Sequence, residues 1–472
     1  MEKESKNRFY VTTPIYYANG SPHIGSAYTT IAADILARWN KIKGKDVFFL
    51  TGLDEHGENI QKVAEEDCKE PQKFVDKIAI QFKEAFKLLN IDYNYFIRTT
   101  NSDHVSRVLT VLQKLYDNGL IYKGDYEAYY CVGCEQYLTK SDLKDGKCPL
   151  HNKDPEIHKE EAYLFKLSEF QDKLLELVKS GKYCILPLKK RNEMISFIEQ
   201  GLKDISISRR KEKVSWGVEL PFDKEHTCYV WVDAFWNYIT GLQINEKYDK
   251  FWPPQLQLMA NDILRVHATI WPALLLALDI PLPEKLFIHG YFTVNGKKMS
   301  KTIGNVIDPI KLVKKYGADS VRYFIIRNIP FGDDGDVSIK GLEQRHNSEL
   351  ANKLGNLVSR VSTLAEKFGI EKTENQLILK LKLKEIDKLM ENLELDKALT
   401  LIFEFIDNCN EYIQEKKPWE SGDKKILYEL VESIKDIAKL LWPFIPETSE
   451  KITNTFNTDK IKKAEILFKK IK

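Results

Sequence analysis

The chain has little of what marks a secreted, membrane-bound or strongly charged protein. Only 7 of its 472 residues are cysteine. That is too few for a disulfide framework in a chain this long, and several are clustered. They are expected as thiols and metal ligands of a reducing compartment. No apolar run reaches the roughly 20 residues of a membrane span; WPALLLALDIP is the nearest approach. The opening MEKESKNRFY carries no apolar stretch, which predicts no secretory signal. Together these absences predict a cytoplasmic protein with no membrane partner. Charge of one sign is also missing: 71 basic minus 69 acidic residues leaves +2. No global field therefore draws nucleic acid, and such a role would rest on local patches. There are no internal repeats and no low-complexity linker. What remains, 43% hydrophobic and 30% charged residues, describes a globular protein of two to four domains.

Two stretches carry most of the chemistry. The first is FYVTTPIYYANGSPHIGS, from Phe9 to Ser26. Phe9, Tyr10, Val11, Thr12 and Thr13 predict a strand. Asn19-Gly20-Ser21-Pro22 predicts a turn. A helical pattern then runs through Ala27, Ile31, Ile35, Leu36 and Trp39. Strand, turn and helix N-terminus form a natural anion seat, with free backbone N–H groups and His23 and Gly25 beside them. A purely structural His23 fits the same pattern. The second stretch runs from Gly296 through Lys297, Lys298, Met299, Ser300, Lys301 and Thr302 to Asn305. Its lysines and hydroxyls suit a triphosphate.

Other segments add to these. Val47–Thr51 reads as a strand that ends in Gly52-Leu53-Asp54-Glu55-His56-Gly57, polar residues where a parallel sheet gathers ligands. Asp54 reads either as a binding group or as a helix cap. Helices are expected near Ile60–Ala64 and Phe74–Leu89. Cys131 and Cys134, then Cys148 and His151, give C-x2-C, thirteen residues and C-x2-H, four soft ligands suited to tetrahedral Zn²⁺ in a structural role. His158 is the alternative fourth ligand. Cys228–Ala234 is expected as a buried strand ending in Asp233. The aromatics Trp231, Phe235, Trp236 and Tyr238 fit a core as well as a binding wall. From Glu343 onward the pattern is helical almost throughout, and the lysine-rich tail after Thr458 reads as a solvated helix end.

These words and their order resemble the methionyl-tRNA synthetase family of class I aminoacyl-tRNA synthetases. Its HIGH and KMSKS signatures stand here as HIGS and KMSKT. The further matches are PIYYANGSPHIG, TGLDEHGENI, YVWVDA, ILRVHATIWPA, KKMSKTIGNVIDP and NKLGNLVSR. The resemblance extends from Arg8 to about Trp442. It implies an α/β fold: a Rossmann-like parallel-sheet catalytic domain (1–116 and 216–306) split by a zinc-knuckle insertion (117–215). A tRNA stem-contact region (307–342) and a C-terminal α-helical bundle that binds the anticodon (343–472) follow.

The implied activity is ATP-dependent activation of methionine and its transfer to the 3′ end of tRNA(Met). By family alignment His23, Lys298 and Lys301 are catalytic. ATP would meet His23, Gly25, Ser26, Asp262, Lys298, Ser300 and Lys301, with Mg²⁺. Methionine would meet Ile15, Tyr17, Asp54, Trp231, Tyr238, Ile263 and His267. Asn356, Arg360 and Trp419 match anticodon-contacting positions, where an indole can stack a base, although the residues alone fit an ordinary helix surface.

The chain departs from the family in three places. Ser26 replaces the second His of the signature. Ala260-Asn261-Asp262 stands where Gly-Lys-Asp is usual. The fourth metal ligand is His, where many members have Cys. No oligonucleotide-binding extension follows, so a monomer is expected. The rivals are another class I synthetase, for which the insertion is too short to edit, a catalytically weak or dead relative that only binds tRNA, and a small-molecule nucleotidyltransferase, for which the helical bundle has no use.

Overall fold

In a computed structural model the described residues are 7–138, 143–149, 152–294, 296–298 and 306–471. They divide into two compact units. The first takes the chain to Pro22, then Lys43–Glu84 and Asp92–Ile288; the second takes His23–Ile42, Ala85–Ile91 and the chain from His289 onward.

The first unit is built on a six-stranded sheet. Its order is Tyr95–Arg98, β2 (Asp46–Asp54), β1 (Arg8–Tyr17), Leu256–Ala260, Lys285–His289 and Cys184–Leu186. β1 pairs in parallel with β2 on one side and with Leu256–Ala260 on the other. The chain therefore changes direction across the sheet beside β1, and the carboxyl ends there form the crevice where such sheets bind ligands. Between Thr12 and Ile15 the β1–β2 register shifts by one residue. Pro14 lies at the shift; with no N–H it cannot hold the ladder. The shift sets Ile15 opposite Gly52 and Tyr17 opposite Asp54, which puts both side chains on one face of the sheet.

Three expectations meet a different local structure here. Cys184–Leu186 lies inside the span expected as the insertion, yet it pairs in parallel with Lys285–His289 as the sheet edge. Cys228–Ala234 was expected as one strand. The strand is only His226–Cys228, and Val230–Ala234 is a helix. Every residue of that helix is buried, so no polar face betrays its period, and a short apolar run reads alike in either conformation. Asp54 ends a strand and caps no helix, since the next helix, Glu58–Glu66, begins beyond Gly57.

The knuckle region is a separate four-stranded antiparallel sheet, ordered Gln136–Leu138, Ile121–Cys131, Glu156–Phe165 and Ile205–Ser206. His151 lies outside the described residues, as does the side chain of His158.

The second unit joins α1 (Ile24–Ile42) to the helical C-terminal half. From Ile339 to Phe368 the chain is continuously helical, through a π-helical stretch at His346–Gly355. Leu395–Lys416, Lys424–Leu441 and Pro446–Phe456 follow. The tail is not the expected helix end. Residues 457–471 hold no regular element and are tied down instead: Ala464 N donates to Ser362 Oγ (2.9 Å) and Ile471 N to Asn347 Oδ1 (2.8 Å), while His346 Nε2 lies 2.8 Å from the Lys469 carbonyl oxygen. Ile461 and Ala464, which stand among its lysines in sequence, are buried.

Candidate active site

In the first unit an aromatic wall grows from the carboxyl end of β1. Tyr17 meets Trp231 edge-on, with ring centroids 6.1 Å apart. Trp231 in turn meets His267 at 5.8 Å and 85°. His267 Nδ1 lies 2.9 Å from the Ile263 carbonyl oxygen and Nε2 2.8 Å from Tyr238 Oη. A carbonyl only accepts, so Nδ1 carries the proton and Nε2 accepts from the tyrosine. Burial drives the His267 pKa down to about 4, which keeps the ring neutral. The residues expected around methionine, Ile15, Tyr17, Asp54, Trp231, Tyr238, Ile263 and His267, all lie in this unit. Such a wall suits an apolar, polarisable group: its rings are edge-on, its imidazole is uncharged, and Trp231 Nε1 has no partner among the described residues.

Beside the wall lies an acidic cluster. Glu55 accepts from Arg98 Nε (2.6 Å) and Thr100 Oγ1 (2.5 Å). Asp233 lies 2.7 Å from His56 Nδ1 and 3.1 Å from His104 Nε2. Burial alone would raise Asp233, but the two imidazoles outweigh it and bring its pKa to about 2. Glu135 accepts from the Asn59 backbone N–H (2.6 Å), and burial raises its pKa to about 8. Asp54 is 2% exposed, and its Oδ1, like Glu135 Oε2, has no hydrogen-bond partner among the described residues. Burial first, then the carboxyl groups of Asp233, Glu135 and Glu55, push its pKa well above the ordinary carboxylate range; the His56 backbone N–H pulls the other way. A buried carboxyl among carboxyls favours a cation beside it.

Sequence reading singled out Asp54 and noted its neighbours only as parts of motifs. It missed His104, which lies 48 positions from His56 with no spacing to betray it. It also missed Glu135, whose one signal was its place beside Cys134. Glu135 holds the knuckle to the turn after β2: Gly57 has φ 108°, and a Cβ there would sit 2.5 to 2.9 Å from the Glu135 carboxylate. Only glycine allows that approach.

Cys131, Cys134 and Cys148 are buried, and their Sγ atoms all lie within 4.8 Å of one another. Cys134 and Cys148 Sγ are 4.0 Å apart, far from disulfide length. Tetrahedral zinc with Zn–S bonds of about 2.3 Å sets sulfurs about 3.8 Å apart, so the donor set fits such an ion. Asp262 is exposed in the turn Asn261–Ile263, and its carbonyl accepts from Gln136 Nε2 (3.1 Å).

The start of α1 and the residues flanking the lysine loop adjoin in the second unit. The Ile24 N–H donates to the Ile307 carbonyl (3.0 Å), just past the lysine loop. Tyr28 packs on Phe292, just before it, with centroids 4.5 Å apart. Helix start and loop flanks thus adjoin. Met299, Ser300, Lys301 and the residues to Asn305 lie outside the described residues, as does the side chain of Lys298. The expected fan of free N–H groups at the helix start is corrected by the geometry: the Ile24 and Gly25 N–H groups already have acceptors within the protein. Asn356 and Arg360 lie one turn apart on Asn356–Phe368, and the Arg360 guanidinium sits 5.3 Å from the Trp419 ring centroid.

Residues 9–153 and 133–362 match the family described as tRNA synthetases class I (M), and residues 379–470 match the anticodon-binding domain of tRNA ligase. The methionine–tRNA ligase of Clostridium acetobutylicum is 42% identical, across 99% of this chain and 78% of its own length. That of Rickettsia felis is 42% identical, across 98% and 94%. Among solved structures, Mycobacterium tuberculosis methionyl-tRNA synthetase in complex with methionyl-adenylate superposes with a TM-score of 0.89 at 33% identity, over 95% of this chain and 94% of that one. The free-state structure of the same enzyme gives 0.84 at 29% identity, over 99% and 98%. Among the described residues no helix is long and apolar enough to cross a membrane.

Proposed function

This chain belongs to the class I tRNA synthetases of the methionine type, and from that premise we propose how its residues divide the reaction. The chain activates methionine with ATP and charges tRNA with it. First, a methionine carboxylate oxygen attacks the α-phosphorus of ATP; the bond to the bridging oxygen breaks and pyrophosphate leaves. Second, a hydroxyl of the tRNA's terminal adenosine attacks the carbonyl of methionyl-adenylate, gives up its proton, and AMP leaves. Chemistry of this kind needs positioning and charge neutralisation more than a covalent side chain.

Asp54 receives the methionine ammonium. Ile15, Tyr17, Trp231, Tyr238, Ile263 and His267 form the hollow for its thioether. Lys298 and Lys301 neutralise the phosphates and His23 donates a hydrogen bond to their oxygens, with Gly25, Ser26, Ser300 and Asp262 placing the nucleotide; the Mg²⁺ that accompanies ATP would supply further positive charge. Asn356, Arg360 and Trp419 receive the unpaired bases of the anticodon. The observation that carries this reading is the buried Asp54 carboxyl, with one oxygen lacking a partner among the described residues, beside an uncharged aromatic wall. Nothing favours a silent tRNA-binding relative.

Exchange of labelled pyrophosphate into ATP tests the reading: it is expected with methionine and absent with leucine or cysteine. Purified protein that exchanges with none of them sinks the activity. We also read Cys131, Cys134 and Cys148, with His151 as fourth ligand, as holding one structural zinc. Metal analysis should find one zinc per chain, lost in Cys148→Ser and in His151→Ala but kept in His158→Ala. The working form is read as a cytoplasmic monomer, which sedimentation of the active fraction tests.

A further inference from the structure

The departure at Ser26 has a physical role. His23 is the N-cap of α1: its carbonyl accepts the first intrahelical bond, from Ala27 N (3.1 Å). Its imidazole then caps the turn as well, since the Gly25 N–H donates to His23 Nδ1 (3.1 Å). An Nδ1 that accepts carries no proton, so the neutral ring holds its proton on Nε2. Ser26 locks the backbone beneath. The His23 N–H donates to Ser26 Oγ (3.2 Å), and the Ser26 hydroxyl donates to the His23 carbonyl (2.7 Å). One hydroxyl can do both, having one proton and two lone pairs. This is half of a capping box, with Ser at the third helical position where Glu or Gln is usual, while the N-cap imidazole takes the N–H of the second helical position instead of the third. Ser26 is buried, whereas His23 is exposed. The Ile24 N–H is also taken, by the Ile307 carbonyl (3.0 Å). An anion reaching this helix therefore meets an imidazole edge more than a set of backbone N–H groups.

We propose that Ser26 is the positioning residue for His23: it fixes the cap so that the ring presents Nε2–H as the donor to the ATP phosphates. The proposal rests on the activity argued above. A preset donor contributes because it need not reorganise as charge develops on the phosphates.

The test combines kinetics with a signal that a merely structural role would not move. Histidines are labelled with ¹⁵N, and the His23 ring is assigned by its loss in His23→Ala. The wild-type ring is expected as the Nε2–H tautomer, and Ser26→Ala is expected to give a mixture. Ser26→Ala should lower methionine-dependent exchange about tenfold. In the His23→Ala background it should cost less than about twofold, because the residue it serves is gone. Proton on Nδ1 in the wild type, or the same fold-loss from Ser26→Ala with and without His23, would overturn the proposal. The spectrum is read without substrate, so failure of the cap and failure of the activity are told apart.

Discussion

Two buried aspartates, one in each compact unit, show what burial means for a charge. Asp34, in α1, is fully buried, and its Oδ2 accepts from Arg38 Nε (2.9 Å) and Arg322 Nη2 (2.6 Å). Arg322 is itself fully buried with all five N–H donors engaged: Nε to Phe444 O, Nη1 to Leu89 O and Asn90 O, Nη2 to Asp34 and Pro443 O. Arg38 also lies over the Trp442 ring, 4.9 Å from its centroid. Asp54 is as deeply buried, yet among the described residues it pairs with no cation and one of its oxygens has no hydrogen-bond partner. Both groups lose hydration on folding. The protein supplies every partner in one place and leaves one out in the other. A complete network is a rivet; an incomplete one marks where a ligand completes it.

The contrast breaks most readily at Arg322. Arg322→Met leaves Asp34 buried with one partner fewer, so the unfolding free energy in urea should fall by about 3–5 kcal/mol. A loss below about 1 kcal/mol would show that Asp34 is as tolerant of solitude as Asp54.

The next test uses pH. The His267 pKa falls from 6.5 to about 4 on folding. The unfolded chain then binds the extra proton, so this group's stabilisation is full above about pH 6.5 and is lost as pH falls toward about 4. The total is about 3 kcal/mol. Asp54 has the opposite sign. Its folded pKa is raised, so its contribution is present below the unfolded value of 3.8 and is lost as pH rises through the folded value. Urea midpoints against pH for wild type and for Asp54→Asn should differ only on the side where Asp54 ionises.

Function should follow the same carboxylate. Asp54→Asn is expected to lower methionine-dependent exchange about 100-fold, mainly through the KM for methionine, because the ammonium loses a charged partner. Its stability at neutral pH should not fall. An Asp54→Asn protein with normal exchange but a lowered urea midpoint would make Asp54 a rivet after all. The smallest effect is at the other end of the chain. Trp419→Ala should raise the KM for tRNA about tenfold, by loss of one stacking surface; an unchanged tRNA KM would return Trp419 to the role of helix packing.

Legibility in the sequence followed locality. The first strand, its turn and α1 were readable because β-branched residues, Asn-Gly and a 3.6-residue period act on near neighbours. The three cysteines were readable because a knuckle is a local bend. The Val230–Ala234 helix was not, since burial on all sides erases its period. The edge strand Cys184–Leu186 is three residues long, and only its pairing makes it a strand. The tail after Thr458 looked like a solvated helix end because its ties to Ser362 and Asn347 lie about a hundred positions back.

By itself, then, the amino-acid order determined the first strand, its turn and α1, the helical C-terminal half, the cysteine cluster and the positions that ATP, methionine and tRNA are expected to meet. Tertiary structure alone decided which charges are satisfied. Arg38 lies one helical turn from Asp34, but nothing in the stretch around either aspartate says that a second, buried arginine completes one site and that no cation among the described residues pairs with the other. The arginine that distinguishes them, Arg322, lies 288 positions from Asp34. Hydration is lost group by group, but the partners that replace it come from wherever the fold brings them, and that is written in no local pattern.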